Sequence, residues 1–378
     1  MAPTTYFIAL VFNSTLVLIN TNKAKKPKFP SILIFGDSTV DTGNNNFIDE
    51  AIFLKANHYP YGKDFPGHVA NGRFSNAKLI PDMLASMLDI KETVPPFLNS
   101  NLSDHQLLTG VNFASSGAGF DDLTLSALHA IPVLKQTEYF KNYTVKLKKI
   151  AGNEETEKIL EGALVIVSAG TNDFTLNFYI LPIRALEYKF NISAYQDFLQ
   201  SRLQIFIEKL YELGLRKIAV AGLPPVGCLP LQMTLKFENP KHRECVESQN
   251  SDCQLYNQKL AKLLPQIEAK LSGSKVVYTN IYDPLLDMIN HPQKYGFEIS
   301  EKGCCGRGLL AAGPLCNVLT PTCDDASKYM FWDSIHPTEA AYQYIAEYVE
   351  EHVLPKLYEI EPQQLLSFKQ INPKINCV

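Results

Sequence analysis

Several things are scarce in this 378-residue chain, and each scarcity removes a class of function. Lys and Arg total 35 against 39 Asp and Glu, a formal charge of -4. That leaves no positive surplus to neutralise a phosphate backbone, and no nucleic-acid partner is expected. Cysteine is missing from the first half, and the eight that follow, at 228, 245, 253, 304, 305, 316, 323 and 377, form no Cys-x-x-Cys pair. Zinc ribbons and thioredoxin-type chemistry are disfavoured on that ground. There is no His-Glu-x-x-His, no Walker loop and no Gly-x-Gly-x-x-Gly, so neither metal nor cofactor is expected. Gly-x-Ser-x-Gly is absent too, which argues against a hydrolase built on that nucleophile elbow. No apolar run reaches the ~20 residues of a bilayer span, and no period of roughly 20 to 50 residues recurs.

What is present is ordinary globular composition, 46% hydrophobic and 20% charged, so collagen-like and low-complexity readings fall away. Tyr6 to Ile19 is mostly apolar, interrupted by Asn13-Ser14-Thr15, and is followed by Asn20-Thr21-Asn22 and the basic run Lys23-Ala24-Lys25-Lys26. Residues 1–24 read as a secretory signal peptide, although no Lys or Arg precedes the apolar stretch. The expected location is secreted, extracellular or cell wall. Three Asn-x-Ser/Thr triplets, at Asn101, Asn142 and Asn191, become candidate glycan acceptors on surface loops.

Short apolar runs punctuate the rest. Ser31–Phe35, Ala163–Ser168, Lys217–Ala221 and Lys275–Tyr278 each end near Gly, Pro or Asn, and Gly110–Ala114 is a weaker fifth. Between them, Ala194–Leu213, Gln254–Leu271 and Pro337–Val353 have helical spacing. Continuous apolar strands alternating with helices predict a parallel sheet of about five strands buried on both faces, a three-layer α/β/α fold. No linker divides it, so 28–358 reads as a single domain and 359–378 as a tail.

In open α/β sheets reactive groups gather in loops at the carboxyl ends of the strands. There the chain carries Gly36-Asp37-Ser38, Ser115-Ser116-Gly117-Ala118-Gly119, Gly170-Thr171-Asn172-Asp173 and Asp333-Ser334-Ile335-His336. A serine hydroxyl needs a base to take its proton, and the base needs a carboxylate to hold its tautomer. Ser38, His336 and Asp333 supply that set. The backbone N–H groups of Ser38 and Gly117 and the side-chain amide of Asn172 are donors for a developing oxyanion. Each block alone has a bland reading as a turn, helix cap or helix start. Their joint presence and order is what points to catalysis. Asp37, Asp41, Asn44 and Asn45 read as local turn formers rather than metal ligands.

The chain resembles the plant GDSL esterase/lipase family of the SGNH hydrolase superfamily. The resemblance is carried by FGDSTVDTGNNN from Phe35, PYGKDFPGHVANGRFSN from Pro60, NFASSGAG from Asn112, GTND from Gly170, GLPPVGCLP from Gly222, KGCCGRG from Lys302 and FWDSIHPTEAAY from Phe331. It implies a flavodoxin-like sheet and Ser38 as nucleophile, with Asp333 and His336 completing the triad. Gly117 and Asn172 would flank the Ser38 amide in the oxyanion hole, Gly119 being the fallback for Gly117. The expected activity is a secreted serine esterase or lipase working through an acyl-enzyme on a small-molecule or lipid ester. An acyltransferase using the same acyl-enzyme, and a non-catalytic wall or defence protein, are the alternatives. Val69-Ala70-Asn71 before Gly72-Arg73, and Ala77, depart from the family's common pattern.

In an oxidising compartment the cysteines read as disulfides. Cys228 with Cys245 would staple the loop after the third strand. Cys304, Cys305, Cys316 and Cys323 allow three pairings, of which the vicinal one is disfavoured, and bridges among them would hold the Asp333–His336 loop. Cys253 and Cys377 are left to pair or stay free. Phe120, Phe174, Phe178 and Tyr179 follow the oxyanion blocks and are candidates either for an acyl-pocket wall or for core.

Overall fold

A computed structural model describes residues 29–189, 191–236 and 243–358. The expected signal peptide (1–24) and tail (359–378) lie outside these residues, as does Cys377. Among the described residues, β1 (Ile32–Gly36), β2 (Leu164–Ser168), β3 (Lys217–Ala221) and β4 (Lys275–Thr279) form one parallel sheet in that order. Phe35 pairs with Val167, Val167 with Val220 and Val220 with Tyr278. These are the apolar runs of the sequence, and β1 is buried along its whole length because both faces of the sheet are covered.

The fifth expected strand is present in position but not in regularity. The 110–114 segment runs parallel to β1 on its free edge, where Ile32 and Ile34 donate to Thr109 and Val111, and Phe113 donates to Ile34. Between this segment and β1, among the described residues, only the pair Ile34–Asn112 forms a bridge. Gly110, at φ 97°, breaks the extended chain on one side, and on the other Asn112 Oδ1 accepts from its own Ala114 N–H at 2.8 Å and bends it. Counting this segment, the order along the sheet is second, first, third, fourth, fifth in chain order, the flavodoxin-like arrangement.

The helices are α1 (Ile80–Met87), α2 (Asp104–Leu108), α3 (Val133–Gly162), α4 (Ile183–Glu187), α5 (Ile192–Glu212), α6 (Pro230–Leu235), α7 (Glu247–Lys270), α8 (Tyr282–Asn290) and α9 (Glu339–His352). In one group α5 packs against both α3 and α7, with α3 on β1 and α7 on β4; in the other α9 packs against both α1 and α8. The sheet between them makes three layers. α7 starts before the expected Gln254 because Asn250 faces inward, its Oδ1 accepting from Gly227 N–H at 2.9 Å, and an inward asparagine hides the apolar stripe. α3 was not evident in the sequence. Its buried stripe of Val133, Phe140, Tyr143 and Leu147 is thin, and Gly152 at φ 78° interrupts its course.

A second, two-stranded parallel sheet, β5 (Ile299–Gly303) with β6 (Tyr329–Phe331), leads directly into the Asp333–His336 loop. Disulfides Cys304–Cys323 and Cys305–Cys316 close the chain between these strands, and Cys228–Cys245 staples the loop after β3. Cys253 is a buried free thiol, which burial pushes up to about 12.

Candidate active site

The Ser38 turn begins where β1 presses against β2. At Gly36, φ 143°, a Cβ would stand 1.9 Å from Ser168 O, so only glycine permits this approach. Gln136, wholly buried on α3, clamps the same residue from behind. Its Oε1 accepts from Gly36 N–H at 2.9 Å and its Nε2 donates to Gly36 O at 2.8 Å and to Ile131 O at 3.2 Å. Asp37 accepts from Thr39 N–H and Oγ1–H at 2.9 and 2.7 Å, and burial pushes its carboxyl up to about 6. The strand end and the turn are thus fixed on both sides of Ser38.

The imidazole is set by its own loop. Asp333 Oδ1 accepts from the N–H groups of Ile335 at 2.8 Å and His336 at 2.7 Å, an Asx-type turn that folds the ring back over the carboxylate. His336 Nδ1 then lies 2.8 Å from Asp333 Oδ2, and Nε2 lies 2.8 Å from Ser38 Oγ. Ser38, His336 and Asp333 are only 6%, 4% and 0% exposed, so the relay is shielded from bulk water except at the serine end. The Phe74 ring lies 4.7 Å from the imidazole, centre to centre. The Tyr61 hydroxyl donates to Asp333 Oδ2 at 2.7 Å.

The glycine-rich turn is stitched to the loop that follows Ser38. Asp41 accepts from the N–H groups of Gly43 and Asn44 at 2.8 Å and of Ser116 at 2.9 Å, and burial pushes it up to about 6. Asn44 Nδ2 donates to Asn112 O and Ala114 O, and Asn45 bonds Ser115 Oγ and Ser116 O. The acidic and amide residues of this loop therefore bridge two loops as well as forming local turns. Gly117 follows at φ 81°. Among the described residues, neither its N–H nor that of Ser38 has an acceptor within the protein. Asn172 Nδ2 donates to Ala118 O at 2.9 Å, which holds the amide against this turn and leaves its second hydrogen available. Gly119 instead abuts Asp173, whose carboxylate accepts from Phe120 and Asp121 N–H and is pushed up to about 7 by burial. A π-helical turn, Asp173–Ile180, leaves directly from Asn172.

An apolar cavity adjoins these residues. Thr39, Thr171 and Ile335, chain neighbours of Ser38, Asn172 and His336, line it with Leu84 of α1, Leu285 of α8 and Ile345 of α9. The aromatic residues after the oxyanion blocks are core rather than its walls. Phe174 packs on Tyr256 and Phe178 stacks on Tyr195, both buried, while Tyr179 donates to Asp252 at 2.6 Å. The asparagines of the three triplets are all exposed. Only Asn101 is on a loop. Asn142 sits within α3, and Asn191 caps α5 by accepting from Ala194 N–H at 3.1 Å. Among the described residues no cluster of His, Cys, Asp or Glu is disposed to hold a metal, and no helix is long and apolar enough to cross a membrane.

The sequence did not single out Tyr61, Phe74 or Gln136. Tyr61 and Phe74 lie in the PYGKDFPGHVANGRFSN block, which was a signal without an assigned role. Gln136 had none, since a lone glutamine in a helix is usually solvated.

Three Arabidopsis thaliana proteins named GDSL esterase/lipase are similar over most of their length. One is 54% identical over 346 residues, covering 91% of this chain and 96% of the relative. A second is 53% identical over 349 residues, covering 92% and 95%, and a third 56% over 324 residues, covering 86% and 89%. The profile of the GDSL-like lipase/acylhydrolase family matches residues 32–349. With strand-end loops, an Asx turn and a glycine-rich turn converging as described, the chain belongs to the GDSL-like lipase/acylhydrolase family.

Proposed function

We propose that this protein is a secreted serine esterase that hydrolyses carboxylic esters through an acyl-enzyme on Ser38. The observation that carries the reading is the continuous contact from Asp333 Oδ2 through the imidazole to Ser38 Oγ, 2.8 Å at each end. Ser38 Oγ attacks the ester carbonyl as His336 Nε2 takes its proton, while Asp333 stabilises the imidazolium. The oxyanion accepts from the N–H groups of Ser38 and Gly117 and from Asn172 Nδ2. Collapse of the intermediate breaks the ester C–O bond, and His336 returns its proton to the leaving alcohol. Water then attacks the acyl-enzyme, giving its proton to His336, and the acid leaves as Ser38 regains a hydrogen. The adjoining apolar cavity supports an apolar acyl group. Three disulfides support export, with glycans on Asn101, Asn142 and Asn191 as a further expectation.

Ser38→Ala should lower kcat on p-nitrophenyl acetate and butyrate by about 10⁴ to 10⁶ if the triad acts as a unit. Unaltered turnover by the purified, folded variant would remove the proposal. Mass spectrometry of secreted protein treated with a fluorophosphonate should find the label on Ser38, and the same spectra read the mature start and the glycans.

A further inference from the structure

The block from Pro60 to Asn76 lies outside the catalytic residues, yet it touches both members of the Asp333–His336 pair. Tyr61 Oη donates to Asp333 Oδ2 at 2.7 Å, to the same oxygen that faces His336 Nδ1. The hydroxyl is itself held, accepting from Gly313 N–H at 2.7 Å. Gly313 belongs to the loop closed by Cys305–Cys316, and that loop also accepts from Ser334 N–H through Ala311 O at 2.9 Å. The Tyr61 ring contacts Phe74 at 5.4 Å, and Phe74 contacts His336. A buried phenol with both a fixed donor and a fixed acceptor has one orientation, so its O–H points at the carboxylate permanently.

We propose that Tyr61 is a positioning residue for the hydrolytic relay: by donating to Oδ2 of Asp333, whose Oδ1 is already anchored by the N–H groups of Ile335 and His336, it moderates the charge the carboxylate presents to the imidazolium. The proposal rests on the reading of Ser38, His336 and Asp333 as a triad. Burial and the neighbouring carboxylate hold the Tyr61 phenol well above its ordinary range, so it stays a donor wherever the enzyme works. The titratable groups facing the pair are few. Asp333 shares its loop, Asp37 approaches from the β1 turn, Tyr61 from the 60–76 block, and Tyr342 from α9 feels both Asp333 and Asp37. Asp37 and Tyr342 are common to the proteins compared below and cancel.

Removing the donor concentrates negative charge on Asp333, so the imidazolium keeps its proton to higher pH. Tyr61→Phe should therefore move the acid limb of kcat/KM upward by about 0.5 to 1 pH unit, and lower kcat by about 3- to 10-fold with KM little changed. Installing 3-fluorotyrosine at position 61 keeps both hydrogen bonds and makes a stronger donor. It should move the limb the other way, and it serves if Tyr61→Phe does not fold. The titration midpoint of the His336 ring, followed by NMR of histidine-labelled protein and assigned with His336→Gln, should shift in the same two directions. That readout needs no turnover, so a protein inactive on esters would sink the hydrolytic reading while leaving this one measurable. An unmoved midpoint in both variants overturns the proposal. A downward shift in Tyr61→Phe also does, because a carboxylate merely loosened from the imidazole would let the proton go more easily.

Discussion

The clamp of Gln136 on Gly36 gives the most direct test of how the scaffold sets Ser38. Gln136→Met keeps the length of a wholly buried side chain and deletes three hydrogen bonds, of 2.9, 2.8 and 3.2 Å. The losses are unequal. Gly36 O keeps the donor it has in Ser115 N–H at 3.0 Å, whereas Gly36 N–H and Ile131 O lose their side-chain partner. An orphaned buried donor costs about 1–3 kcal/mol, and no longer burying an amide offsets part of the total, so about 2–3 kcal/mol of destabilisation is expected. At the low end of the ~2–4 °C per kcal/mol seen in large domains, the melting temperature should fall by about 4–6 °C. Gly36 lies just before Asp37 and Ser38, so freeing it shifts Oγ relative to His336. A misplacement of about 1 Å costs ~10²-fold in rate, and kcat should fall between about 10- and 100-fold with KM nearly constant. Gln136→Glu sharpens the test. One carboxyl oxygen still accepts from Gly36, but the other faces two carbonyls and must carry a proton, so this variant should be worse than Met at pH 8 and recover towards pH 5. Urea melts and p-nitrophenyl butyrate kinetics read both effects. If Gln136→Met loses less than about 0.5 kcal/mol, the range of an ordinary surface substitution, and keeps full kcat, the clamp is not what sets Ser38.

Two further outcomes follow from buried charge. Arg73 holds Asp82 through Nε and Nη2 at 2.8 and 2.7 Å and donates to Thr42 O and Val94 O, so it ties the 60–76 block to α1. Arg73→Met leaves the carboxylate with only the N–H groups of Leu79 and Val94, and should cost about 3–5 kcal/mol in a urea melt; a loss under about 1 kcal/mol would mean the pair is solvated. Burial raises Asp37 and Asp41 to about 6 and Asp173 to about 7. For a group raised on folding, stability is fully present below its unfolded value and lost as pH climbs through the folded one. The melting temperature should therefore rise as pH falls from 7 to 5. Lys91, pushed down to about 7 by burial, opposes this mainly above about pH 6, and the lowered carboxyls of Asp121 and Asp287 only at more acid pH. A melting temperature flat or falling from pH 7 to 5 would contradict the burial of these three aspartates.

The sequence was enough to settle the layers of this fold. Four strands stand where continuous apolar runs end in Gly, Pro or Asn, because a strand buried on both faces has no polar side to show. The approach of the Asp333 carboxylate to the His336 ring was also legible, since three-residue spacing suffices for a carboxylate to reach the imidazole of its own loop, whereas the Asx turn that achieves it was not. What the chain could not disclose is every contact across long sequence distances that carries no periodicity. The 110–114 edge, the thin stripe of α3, and the choice between Cys304–Cys323 with Cys305–Cys316 and the other pairing depended on where separate loops came to rest. The phenylalanines after the oxyanion blocks looked equally suited to pocket or core, and only packing against Tyr195 and Tyr256 assigned them to core. Tyr61 and Gln136 are the sharpest cases. A phenol 272 positions from its carboxylate and an amide 100 positions from its glycine gain meaning only when burial removes water as their alternative partner, and burial is a property of the folded chain.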